Sequence, residues 1–158
     1  MAYGSGIQIY PSAELRIYPN SSICLGNKVA INVRTLIAAV NGGVIDLKDG
    51  VSINSDSKIV CHDHITIGEN TIFGPNVLVY DHDHKFDSIR GIDRRHYNTK
   101  KIVIGRNCWI GSGTIILKGS VIGDNCVIGA GSILKGTYSD HSIIIQKRTT
   151  TIIGMDDQ

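Results

Sequence analysis

The chain has 158 residues, room for one domain with its own core, and a formal net charge of +2, too mild a balance to imply nucleic acid. Eighteen glycines against three prolines, with aliphatic residues abundant and aromatics scarce, argue against disorder and helix and for short strands joined by tight turns. The start, MAYGSGIQIY, lacks the basic flank and apolar stretch of a signal peptide, and no apolar run nears the ~20 residues that span a bilayer. Cys24, Cys61, Cys108 and Cys126 form no CxxC pair, so the expectation is a cytoplasmic protein with reduced thiols.

Taken in chain order, residues 1–50 carry a faint period of six. Leu25-Gly26 and Ile31 follow Ile23 and Val29 at two residues' distance, as in an eroded copy of what comes later. Over 51–80 the pattern sharpens into Ile67-Gly68, Phe73-Gly74 and Val79, preceded by Ile65, Thr71 and Val77, and Ile53 and Ile59 extend that preceding series in phase. From Val79 to Ile104 the count is 25, one more than a multiple of six, so the polar segment 81–101 is expected to leave the repeat as a loop. Over 102–136 the anchors Ile104, Ile110, Ile116, Ile122, Ile128 and Leu134 run in unbroken register, with glycine after four of them. The residues two before each anchor are Ile102, Cys108, Thr114, Ser120, Cys126 and Ser132, uniformly small after the first. Residues 137–158 read as a tail, and 1–158 as one domain.

A period of six with one large and one small inward position suits a prism of three short strands per coil, eighteen residues around, with neighbouring coils paired as parallel strands about 4.8 Å apart. Glycine after each anchor is expected to supply positive φ at the corners, and Asn70, Asn76, Asn107 and Asn125 to tolerate the same geometry. Thr114 and Cys126 are expected inside, and Lys118 outside as a solvated side chain. Periodicity does not give the hand of the coil, since crossovers between parallel strands are generally right-handed.

Ile-Gly-Asp-Asn-Cys-Val-Ile-Gly-Ala-Gly-Ser at 122–132, with Asn-Cys-Trp-Ile-Gly-Ser at 107–112, resembles the hexapeptide-repeat acyltransferases. Within them the sequence is similar to the galactoside, maltose and capsular-polysaccharide O-acetyltransferases, well over 50–136 and loosely before. The resemblance implies an all-β, left-handed parallel β-helix with a protruding loop. It also implies acetyl-CoA as donor, a sugar or saccharide-containing acceptor, no metal, and a homotrimer with active sites between subunits.

Acyl transfer to a hydroxyl needs a general base, and histidine titrates near working pH. The resembled enzymes place theirs nine positions after the first residue of a Pro-Gly or Pro-Asn pair. Counting from Pro75 lands on His84, whereas His82 is seven away. Their orienting asparagine, about thirty residues upstream by resemblance, falls on Asn54. At the aligned acidic position stands His62, with Asp63 beside it as the acidic candidate. Trp109, placed outside the prism by the register, matches a tryptophan lining the donor and acceptor cleft. Ser112 and Ala130 match backbone contacts to the pantetheine arm, and Lys135, Lys147 and Arg148 are candidates for the nucleotide phosphates. The relatives' Gly-Val-Pro-Ala-Arg-like segment is replaced here by Ile145-Gln146-Lys147-Arg148.

A competing reading is a zinc enzyme of the γ-carbonic-anhydrase type. His64 lies eighteen residues before His82, one expected coil, so the two could stack, although no two histidines have the five-residue separation of that class. The loop, with Arg90, Asp93, Arg94, Arg95, His96 and Tyr97, is polar enough for a saccharide and basic enough for an anionic one.

Overall fold

The computed structural model describes residues 2–152. Its coils wind around three flat faces. The first face stacks Ala2–Tyr3, Ser22–Leu25, Val44–Leu47, His64–Ile67, Ile102–Ile104, Val121–Ile122 and Thr137–Tyr138. Gln8–Ile9, Ala30–Ile31, Ser52–Ile53, Ile72–Phe73, Trp109–Ile110, Val127–Ile128 and Ile143–Ile144 form the second. The third holds Glu14–Ile17, Leu36–Ala39, Lys58–Cys61, Leu78–Tyr80, Ile115–Leu117 and Ile133–Leu134. Every pairing within these faces is parallel. The architecture is the left-handed parallel β-helix that the resemblance implies. Among the described residues no helix is long and apolar enough to cross a membrane.

The core is the column of inward side chains. Ile104, Ile110, Ile116, Ile122, Ile128 and Leu134 are all buried, as are the small residues Cys108, Thr114, Ser120, Cys126 and Ser132 between them. The Thr114 hydroxyl donates to the Gly111 carbonyl at 2.7 Å, so its polar atom costs nothing by being inside. The cysteines are free, and burial pushes the Cys108 thiol upward, which leaves it a packing group and not a nucleophile.

Three expectations about the coil are corrected. Its length is not uniform: Ile23 pairs with Ile45 and Val103 with Val121, twenty-two and eighteen residues on. Ile53 and Ile59 pair with Phe73 and Val79, so they are anchors and not members of the small series; the coil between them is twenty residues long. Glycine after the anchor does not take positive φ. A methyl group on Gly111 would come within 2.6 Å of Ala130 N, so these glycines answer the close stacking of corners. The positive φ falls two residues later, at Asn70, Asn76, Asn107 and Asn125 as expected, but also at Lys28, Arg34 and Asp56.

Lys118 is not free either. Its side chain is only 18% exposed, with Nζ 2.8 Å from Asp83 Oδ2 and donating to the Asn98 carbonyl at 3.2 Å. Segment 81–101 does leave the coil, as an antiparallel hairpin of His82–Asp87 and Gly91–Thr99 between the third face and the first. Lys118 ties its base to the next coil.

Thr114→Leu or Cys126→Leu should overfill the column and cost about 1–3 kcal/mol, while the exposed Lys58→Leu should change stability by under about 0.5 kcal/mol. Thermal unfolding of the three variants checks this; equal shifts would contradict the register.

Candidate active site

The corner between the third and first faces collects the titratable residues. Asp81 ends the third face and is fully buried. Its Oδ1 accepts from the His62 N–H at 2.9 Å and lies 3.1 Å from His82 Nδ1, and its Oδ2 accepts from the Asp63 N–H at 2.8 Å and the Cys61 thiol at 3.2 Å. Burial opposes its ionisation, but these donors outweigh burial and hold the carboxyl below its ordinary range. Burial and the neighbouring Asp81 charge drive the Cys61 thiol far upward, so it stays protonated as a donor.

Aromatic rings stack outward from this buried carboxylate. His62 and His82 lie 3.9 Å apart between ring centroids, His62 and Tyr97 4.3 Å, and Tyr97 and His84 4.7 Å. Burial and the adjacent His82 lower the His62 pKa, against the pull of Asp81. A neutral His62 fits its 3.1 Å contact with Asn41 Nδ2, in which the ring nitrogen accepts.

The two hairpin histidines differ in access. His82 is wedged between His62, Tyr80 and Tyr97, with 14% of its side chain exposed. His84 is exposed, its Nδ1 3.2 Å from the Asp93 carbonyl. A carbonyl only accepts, so Nδ1 carries the hydrogen and the neutral ring leaves Nε2 bare. That is the tautomer a general base needs.

The remaining candidates lie elsewhere. Asn54 is exposed at the corner between the second and third faces, where its Oδ1 accepts from the Ser55 N–H at 2.8 Å; it does not touch His84 within the chain. Asp63 shares the His62 turn, but the carboxylate contacting a histidine there is Asp81, which sequence reasoning had assigned to the loop. Ser112 and Ala130 are exposed on the same corner as Asn54, where the Gly131 N–H donates to the Ser112 carbonyl at 2.7 Å and Arg148 reaches the Gly131 carbonyl. Lys147 precedes Arg148 on the exposed strand exit, whereas Lys135 lies at the hairpin corner, away from the other two. Trp109 is 55% exposed on the second face, beside Ile72 and Val127 in an outward apolar row.

The stacking expected of His64 over His82 is corrected. His64 pairs with Val44 on the first face, and it is His62 that stacks on His82. Among the described residues no three metal-ligating side chains converge.

Fold and repeat define a left-handed β-helix protein built on hexapeptides. Residues 101–136 match the bacterial transferase hexapeptide family (six repeats). The chain is 29% identical over 133 residues to WbbJ of Escherichia coli K12, named as a lipopolysaccharide biosynthesis O-acetyl transferase, covering 79% of this chain and 68% of that one. It spans less than half the length of two other relatives, acetyltransferases of Dictyostelium discoideum and Mycobacterium tuberculosis. Among solved structures it superposes on the N-acyltransferase AntD of Bacillus cereus with a TM-score of 0.77 at 20% identity, covering 93% of this chain and 80% of that one. A hexapeptide-repeat acetyltransferase of Vibrio cholerae, solved with acetyl coenzyme A, gives 0.66 at 25% identity, covering 78% and 64%. The chain therefore carries the bacterial transferase hexapeptide repeat over residues 101–136 and is similar to hexapeptide-repeat acetyltransferases.

Asp81→Asn should place an amide donor against donors that a carboxylate had satisfied, costing about 1–3 kcal/mol at neutral pH. Because folding depresses the Asp81 pKa, its contribution is present above the ordinary carboxyl pKa of about 4 and is lost as pH falls through the lower folded value. Thermal melts across pH should show the gap between wild type and variant closing only in that acid range; a gap that closes nearer neutrality would contradict the assignment.

Proposed function

We propose that the chain transfers an acetyl group from acetyl-CoA to a hydroxyl of a sugar or saccharide-containing acceptor, directly and with His84 as general base. The observation that carries this reading is the exposed His84 ring, held through Nδ1 so that Nε2 faces outward. The acceptor oxygen attacks the thioester carbonyl as its proton passes to Nε2. The carbon–sulfur bond then breaks, and the imidazolium returns the proton to the departing thiolate. The relatives' names support the donor and the class of acceptor: one is solved with acetyl coenzyme A and another is named for lipopolysaccharide O-acetylation.

The geometry favours a site shared between subunits. His84 stands at the hairpin corner, whereas Asn54, Ser112, Ala130 and Arg148 stand one corner away across the third face. A face of six residues separates corners by on the order of 15–20 Å. Attack needs the reacting atoms about 3–3.5 Å apart. A donor arm lying on Ser112 and Ala130 therefore meets the His84 of a neighbouring copy. Each copy offers one of each corner, a head-to-tail contact that closes into a ring. We take the ring to be a homotrimer, with Trp109 walling the cleft, Asn54 orienting from the neighbour, Asp63 at its acidic edge, and Lys147 and Arg148 nearest the nucleotide phosphates. Lys135, on the hairpin side, would reach them only from the other copy. The reaction is assigned to the cytoplasm.

His84→Ala should lower turnover about 10²–10⁴-fold with acetyl-CoA affinity nearly unchanged. His82→Ala should stay within several-fold of wild type and lose stability, and Asn54→Ala should lie between. Steady-state transfer beside calorimetric CoA binding checks this; loss of transfer in His82→Ala but not in His84→Ala would name the wrong histidine. Light scattering should show a trimer, and a fully active monomer would refute the shared site.

A further inference from the structure

The hairpin carries a charge arrangement that acyl transfer itself does not require. Its carboxylates are all engaged. Asp83 holds Lys118, Asp87 Oδ1 accepts from the N–H groups of Ile89 and Arg90, and Asp93 accepts from the N–H groups of Arg95 and His96 and from the His96 ring. Elsewhere Arg16 holds Glu14, Arg34 holds Asp56, Arg106 holds Asp124, and Arg148 reaches a carbonyl. Among the described residues the side chains of Lys85, Arg90, Arg94 and Arg95 make no ion pair or hydrogen bond, although carboxylates stand near them in the sequence.

The backbone gathers two of these cations. The ladder pairs His84 with Tyr97 and then Lys85 with Asp93, so Arg94, Arg95 and His96 bulge out of the second arm. The Asp93 carboxylate caps that bulge through the N–H groups of Arg95 and His96. Bulges re-aim side chains. Here Arg95, His96 and Lys85 are turned into a pocket of about 240 Å³, completed by Asn41, His62, Tyr97 and Thr99 and lined by no carboxylate. The Tyr97 ring is the wall between this pocket and His84.

We propose that the pocket holds an anionic group of the acceptor, a carboxylate or phosphate carried on a sugar, with Arg95 and Lys85 as its cations. The proposal rests on the acetyl-transfer reading above. The guanidinium fork of Arg95 matches either anion with two parallel N–H bonds, and the ammonium of Lys85 adds a point charge. Anchoring the anion beside Tyr97 presents a ring hydroxyl across that side chain to His84, so that binding energy far from the reacting oxygen sets which sugars are acetylated.

The test compares acetyl transfer to glucose, glucuronate and glucose 6-phosphate, and calorimetric binding of glucuronate and inorganic phosphate. One charged sugar should exceed glucose in kcat/KM by about tenfold or more, and which one does so separates carboxylate from phosphate. Arg95→Ala and Lys85→Ala should each cut that preference about tenfold through the acceptor KM, with anion binding weakened in parallel, while the distant Arg16→Ala should leave the preference intact. If no sugar is acetylated but Arg95→Ala still abolishes anion binding, the acetyl-transfer reading fails and the pocket stands. Equal use of charged and neutral sugars, with anion binding unchanged in the variants, overturns the proposal. A rise in the acetyl-CoA KM instead would assign the cations to the donor's phosphates and overturn it as well.

Discussion

Each coil of this molecule is covered only by the next, and that stacking constraint sets everything else. Inward aliphatic and small residues must superpose at the spacing of paired strands, about 4.8 Å, or the column opens to water. The corners are held as tightly: Gly74 lies under Ser112 and Gly111 under Ala130 with no room for a methyl group. With faces and corners fixed, an insertion can leave only at a corner, and the hairpin does so between the third and first faces. Its base is then pinned from both sides, by the buried Asp81 network toward earlier coils and by Lys118 toward the following one.

The same constraint divides the chemistry. One corner holds a buried carboxylate, stacked imidazoles and the exposed His84 proposed as base. Another holds small exposed residues and bare backbone against which a long thin ligand could lie. Neither is mobile enough to reach the other within a rigid prism, so the proposed reaction becomes a property of the assembly. The hairpin adds a third element, since its bulge carries the cations proposed to meet the acceptor, and a bulge can vary without disturbing the column beneath it.

Much of this was legible in the sequence because the repeat is a direct image of the packing. The anchors from Ile104 to Leu134 and the small residues between them are all inside. Ile53 and Ile59 were misread because the coil they begin is longer than eighteen residues, and period alone cannot see where residues are added at a corner. Asp81 looked like the first residue of a polar loop. It is buried because four donors converge on it, and convergence of backbone N–H groups leaves no mark in a sequence. Lys118 was misjudged for a related reason: its partners Asp83 and Asn98 belong to a hairpin whose course the repeat does not describe. His84 is proposed on family spacing, whereas its access, its tautomer and the charge of its surroundings needed the fold.

The central claim is that base and donor groove come from different copies, and complementation in mixed oligomers measures it most directly. His84→Ala removes the base from one chain, and Ala130→Trp blocks the groove of another. Each preparation alone should be nearly inactive. Co-refolded, they should regain acetyl transfer well above the sum of the two, because some interfaces pair the intact groove of the first chain with the intact base of the second. Mixed oligomers that form, yet show no activity beyond that sum, would place both elements in one chain and contradict the account.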